Sequence, residues 1–177
     1  MSRIDAYAHK TLGLVDGFVN LARAQAMQLQ SKEVDLIDLI ELCMDEFWAR
    51  ACQRHIGLRF ETYPDHVWVR GDPSLLQRSF ANLIDNAIKY SPDGGHVECT
   101  ITAEDDLWCV SVRDEGRGFS AEQAPRLLQP FSRLNEHVGG NPEGAGLGLA
   151  FVKTVVDRHG GSIRISGQEG CGAQFDL

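Results

Sequence analysis

Gly144-Ala-Gly146-Leu147-Gly148-Leu-Ala-Phe-Val152-Lys-Thr-Val-Val156-Asp-Arg-His-Gly-Gly161 is the stretch around which the rest of the chain can be arranged. Glycine recurs at 144, 146 and 148, and the apolar residues from Leu147 through Leu149, Val152 and Val156 follow a helical spacing. A glycine-rich loop therefore opens directly into a helix. At such a junction the first backbone N–H groups lack intrahelical acceptors and the helix dipole presents its positive end, which suits an anionic phosphate. Glycine lets the backbone come close to that group. A flexible hinge would carry the same glycines, so the reading depends on whether the chain also supplies a base pocket and a metal ligand.

With 177 residues, 43% of them hydrophobic and 24% charged, the chain can form one well-packed domain plus a short appendage. A net charge of -8 and the lack of any basic run argue against a nucleic-acid partner. Cys43, Cys52, Cys99, Cys109 and Cys171 form neither a C-x-x-C pair nor a zinc spacing, and read as reduced core residues of a cytosolic protein. The histidines include no H-E-x-x-H. No apolar run approaches the roughly 18 residues of a membrane span, and no signal peptide precedes the first helix. The expectation is a soluble cytoplasmic piece without membrane contact of its own, compatible with having been cut from a membrane protein.

From Arg3 to about Gln30 no proline interrupts, and Ala8, Leu12, Val15, Val19, Ala22, Ala26 and Leu29 recur at heptad spacing, widened by Phe18 and Leu21. This predicts one long helix that packs on a partner helix or a second chain, the alternative being a helix folded back on its own domain. Asp35 is placed to cap a second helix running through Leu36, Ile40, Phe47 and Ala51. Leu58–Tyr63 and Val67–Val69 read as strands with Pro64 and Asp65 at the turn between them. Asp72 and Pro73 mark a third helix, which stops before Pro92. Strands are expected over 95–103, 107–112, 162–166 and 171–177, with a short helix over 120–128 and a loop over a site from Leu134 to Gly146. The order suggests an α+β fold, a two-layer sandwich with a mixed sheet covered by helices on one face.

In the third helix Asn82 and Asn86 are four apart and share a face, with Lys89 and Tyr90 a turn beyond. Asparagine is a poor helix former. Two on one face can offer amide oxygens to Mg²⁺, which takes few protein ligands and completes its shell with water and nucleotide phosphates. Lys89 can add an ammonium for phosphate. The bland reading is two amides bonded to neighbouring backbone. Asp114 follows the strand over 107–112 and precedes Gly116 and Gly118, so a tight turn would leave its carboxylate facing a pocket able to hold an exocyclic amine and a flat ring.

Asn82-Leu-Ile-Asp-Asn86-Ala-Ile-Lys89-Tyr90, Asp114-x-Gly116-x-Gly118, Phe131-Ser-Arg133 and Gly144-x-Gly146-Leu147-Gly148-Leu resemble, in order and spacing, the asparagine, first glycine, phenylalanine and second glycine boxes of sensor histidine kinases. The resemblance implies a Bergerat-type ATP-binding catalytic domain over 32–177, shared in fold with gyrase B-type ATPases and heat-shock chaperones. Residue by residue it implies Asn86 as main Mg²⁺ ligand with Asn82 nearby, Lys89 on phosphate and Tyr90 bordering the nucleotide. It places the adenine amine on Asp114, with Gly116 and Gly118 shaping the pocket. Phe131, Gly144, Gly146, Leu147 and Gly148 would hold the nucleotide, 134–146 would be its lid, and Arg133 would reach the γ-phosphate.

Residues 1–31 resemble the second helix of the family's dimerisation and phosphoacceptor hairpin; its first helix and the phosphoacceptor histidine box are absent from the chain. His9, followed by Lys10 and Thr11, does not fit that box. The resemblance therefore implies ATP and Mg²⁺ as cofactors, a γ-phosphate passed to a histidine on another helix of the kinase dimer, a response regulator downstream and a homodimer at full length. ATP-hydrolysing relatives carry glutamate where this chain has Asn82. Two other readings stay open: a serine kinase of the anti-sigma type with the same ATP fold, and a dimerisation or scaffold module with a degenerate nucleotide site.

Overall fold

Aspartates start the two helices that carry most of the core. Asp35 accepts a hydrogen bond from Ile37 N (3.1 Å) and begins α2, Leu36–Gln53. Asp72 accepts from Ser74 N and Leu75 N (3.1 and 3.2 Å), and with Pro73 at the first position begins α3, Pro73–Tyr90. The computed structural model describes residues 3–132 and 146–177, with side chains at Ala8 and from Thr11 onward. Both N-terminal boundaries fall where the capping residues put them.

The end of α3 is fixed from outside. Arg54, just beyond α2, donates to the carbonyls of Ile88, Lys89 (3.2 Å) and Ser91 (2.8 Å), supplying acceptors of the last helical turn with a partner.

Five strands form one mixed sheet: β2 (Gly57–Thr62), β4 (His96–Glu104), β5 (Leu107–Asp114), β6 (Arg164–Gly167) and β7 (Ala173–Asp176), in the order β2-β4-β5-β7-β6. β2 runs parallel to β4 with Phe60 opposite Cys99, and the other pairs are antiparallel, Val112 facing Phe175 across β5 and β7. Alternation puts Val97, Cys99 and Ile101 of β4 and Val110 and Val112 of β5 on one face. That face packs against Ile40 and Cys43 of α2, Leu83, Ile84 and Ile88 of α3, and Val152 and Val156 of α5, Gly148–Arg158. The expected two-layer α+β sandwich is thus the fold. The other face carries polar rows such as Glu98 opposite Arg113.

Four local readings needed correction. A strand at Lys32–Asp35 (β1) was not foreseen, because Lys-Glu-Val-Asp holds one apolar residue; it pairs antiparallel with β3, Trp68–Gly71, in a separate two-stranded sheet. The segments on either side of Pro64 consequently belong to different sheets. The helix expected over 120–128 contracts to α4, Ala124–Leu127. Of the cysteines read as core, Cys43, Cys99 and Cys109 are buried while Cys52 and Cys171 are exposed. Burial pushes the Cys43 thiol up to about 11 and that of Cys99 to about 12, so both stay protonated and inert.

The first helix, α1, spans Arg3–Ala26 and ends four residues before the expected Gln30. Its C-terminal half lies on α5, with Leu21 and Ala24 buried among Leu147, Ala150, Phe151 and Val155. Arg158 holds its end by donating to the carbonyls of Ala24 and Met27. The helix is therefore folded back in part. Along the expected seam, however, Leu12, Val15 and Val19, with Phe18 beside them, remain between 38% and 61% exposed.

Candidate active site

α1, α3, the end of β5, β7 and the start of α5 enclose a cavity of about 480 Å³. α3 buries Phe80, Leu83, Ile84, Ala87 and Ile88 in the core. The adjoining stripe, Arg78, Asn82, Asp85, Asn86 and Lys89, is thereby turned into the cavity. The asparagines expected to share a face do share it, on the cavity wall. Asn82 Nδ2 donates to the Arg78 carbonyl (2.9 Å), which leaves its amide oxygen on the side of α5: a Cβ placed on Gly148 would lie 3.1 Å from Asn82 Oδ1. Tyr90 closes the far end, with Lys89 Nζ 5.3 Å and Arg117 Cζ 5.1 Å from its ring centroid.

Asp114, the last residue of β5, is 5% exposed and lines this cavity. Its Oδ1 accepts from Gly116 N (2.8 Å) and Ala173 N (3.3 Å). Burial pushes its carboxyl above the ordinary range, and the two backbone bonds only partly offset that. Neither bond engages Oδ2. Gly116 has no room for a side chain, since a Cβ would come within 2.6 Å of the Tyr90 carbonyl. Gly118 has φ +62° and a Cβ there would meet the Gln168 carbonyl at 1.9 Å, so the turn after Asp114 locks onto the β6–β7 turn. Gly172, from that second turn, has φ +86° and faces the Asp114 carbonyl at 2.0 Å in the same test. Sequence reasoning named Gly116 and Gly118 but missed Gly172, for which no local motif speaks.

The glycine-rich loop enters the cavity through Gly146, Leu147 and Gly148. Leu147 is the N-cap of α5 and makes no side-chain capping bond, so the first amides of that helix have no side-chain acceptor from the cap position. An anion there would complete them.

Phe131 is not brought to the cavity: it is 58% exposed with φ +62°, and its neighbour Ser132 takes the wall position. Arg133, Gly144 and all of the expected lid over 134–146 except Gly146 lie outside the described residues, and the side chain of His9 does too. Wall residues that no motif pointed to are Arg50 and Asp85, paired with each other, together with Arg78, Arg117 and Phe175. α1 adds Asp16 and Asn20, which a reading of separate domains had not placed near the site. Among the described residues no three His, Cys, Asp or Glu side chains cluster as a metal site, and no described helix is long and apolar enough to cross a membrane.

The sequence and fold have relatives. The chain is 29% identical over 174 residues to the alginate biosynthesis sensor protein KinB of Pseudomonas aeruginosa, covering 97% of this chain and 29% of that protein. It is 34% identical over 155 residues to the sensor histidine kinase CusS of Escherichia coli K12, covering 86% of this chain and 32% of CusS. The chain thus spans about a third of the length of these curated relatives. Among solved structures, full-length ShkA in complex with AMPPNP superposes with a TM-score of 0.82 at 26% identity, over 96% of this chain and 36% of ShkA. Residues 71–177, which hold the asparagine row, the Asp114 turn and the glycine loop, match the histidine kinase-, DNA gyrase B- and HSP90-like ATPase family, and the chain belongs to it.

Proposed function

We propose that the chain is the ATP-binding catalytic core of a cytoplasmic two-component sensor histidine kinase, passing the γ-phosphate of ATP to a histidine on a helix that this chain does not contain. Residues 32–177 act as the catalytic unit and residues 1–31 as part of the dimerisation hairpin. The observation that carries this reading is the single cavity uniting the Asn82–Asn86 row, the buried Asp114 carboxylate and the uncapped start of α5.

In this reading Asp114 Oδ2 accepts the exocyclic amine of adenine, and Gly116 and Gly118 keep the space beside it flat. The α5 amides take phosphate oxygens, and Lys89 adds a cation. A hard cation fits the donor set: amide oxygens of Asn86 and Asn82 and, among the described residues, no carboxylate cluster, the pattern of a metal shared with phosphates. Bound there, Mg²⁺ supplies charge neutralisation on the phosphates. The residues themselves position the nucleotide, which is most of what phosphoryl transfer asks of a protein. Asn82 cannot take a proton from water, so hydrolysis should be slow. The exposed seam of Leu12, Val15 and Phe18 favours a kinase with a helical partner, hence a homodimer at full length and a response regulator as phosphate acceptor, over a serine kinase that needs no such helix.

Calorimetric titration with Mg-ATP tests the site. Asn86→Ala should abolish the Mg²⁺-dependent part of the affinity and leave the weaker metal-free binding in place. Equal Mg²⁺ dependence in both proteins would remove Asn86 from the metal.

A further inference from the structure

Arg78 is a cavity cation that none of the motifs uses. It stands four residues before Asn82 on α3, so Arg78, Asn82 and Asn86 form one row along the wall, stepping about 6 Å each time. Its guanidinium carbon lies 5.6 Å from the centroid of the Phe151 ring, and Phe151 sits at the end of the first turn of α5. The charge is thus held beside the uncapped helix start, at the end of the row remote from Tyr90.

The other basic groups of the cavity are placed differently. Arg50 is paired with Asp85, while Lys89 and Arg117 gather around Tyr90. Arg78 forms no ion pair with a carboxylate among the described residues. An aromatic face orients a guanidinium without neutralising it, so the charge and the donor fork remain available to an anion.

We propose that Arg78 binds the terminal phosphate of a nucleoside triphosphate and is the residue by which the site tells triphosphate from diphosphate. The inference rests on the nucleotide reading given above. With the base at Asp114 and the metal at Asn86 and Asn82, the phosphate chain runs along the row towards α5 and ends at Arg78. A diphosphate stops one phosphate short of it.

The test is a pair of titrations, Mg-AMPPNP and Mg-ADP, on the chain and its Arg78→Ala and Arg78→Lys variants. Arg78→Ala should lose about 10- to 100-fold in affinity for AMPPNP, the range of one charge-assisted contact, and stay within about twofold for ADP. Arg78→Lys keeps the charge but not the fork, and should lose less, again for AMPPNP alone. It also carries the test should the alanine variant fold poorly. Parallel losses for both nucleotides, or no loss for either, overturn the assignment while the nucleotide reading survives. If the unaltered chain binds neither nucleotide, both fall.

Discussion

Asp35 and Asp114 are equally buried, each 5% exposed, yet their carboxyls are driven in opposite directions. Burial raises both. Asp35 is surrounded by donors: Val67 N (3.0 Å) and Ile37 N (3.1 Å) on Oδ1, and His66 Nδ1 (2.6 Å) on Oδ2. Together these outweigh burial and hold it below the ordinary carboxylate range. Asp114 has two backbone donors on one oxygen, which do not outweigh burial, and it faces a cavity. A buried carboxylate with donors on both oxygens is a structural joint. One left short of donors at the wall of a cavity is where a ligand has something to supply.

Substituting each aspartate should separate the two roles. Asp114→Asn keeps an oxygen for Gly116 N and Ala173 N but turns an NH₂ towards the ligand, donor against donor. ATP affinity should fall roughly 100-fold, about 3 kcal/mol, with adenine losing its advantage over guanine and thermal stability unchanged or slightly higher. Calorimetry and thermal melting on the same samples decide it. Asp35→Ala should do the reverse. It strips the cap from α2 and leaves two amides without their acceptor, costing about 2 kcal/mol in chemical denaturation, while ATP affinity stays put.

The smallest effects are in pH. Asp35, lowered on folding, contributes stability above the usual carboxylate value of 3.8, and that contribution is lost as pH falls through its folded value. His66, raised on folding chiefly by its bond to Asp35, contributes fully below 6.5 and loses its contribution as pH rises through its folded value. The pair is therefore strongest between those limits, and melting temperature should decline on the alkaline side, a decline that His66→Ala should remove. Asp114, raised on folding, costs stability as pH climbs from 3.8 through its folded value. Nucleotide affinity should rise over the same interval, as the carboxylate becomes the better acceptor.

What could be read beforehand was what local chemistry decides. Asp72-Pro73 announces a helix start, and an interval of four puts Asn82 and Asn86 on one stripe whatever the helix packs against. Glycines after Asp114 require a turn wherever that turn ends up. Contacts between distant segments leave no such trace. Nothing near Gly172 says that it must pass so close to the Asp114 carbonyl that a Cβ there would lie 2.0 Å from it, nor does Arg54 reveal that it will hold the end of α3. Arg78 looks like any solvated helical arginine until Phe151 is seen beneath it. The heptad spacing of α1 was legible, but the packing of its C-terminal half onto α5 depends on Leu21 and Ala24 meeting Val155, far along the chain.

The central claim is phosphoryl transfer to a histidine outside the chain. It is tested most directly by incubating the chain with γ-labelled Mg-ATP, with and without a separately supplied two-helix hairpin that carries a phosphoacceptor histidine box, and quenching in alkali. The account predicts that label stays in ATP when the chain is alone and moves to the hairpin in an alkali-stable, acid-labile form when both are present. Acid-stable label, label on the chain itself, or label lost only as free phosphate would contradict it.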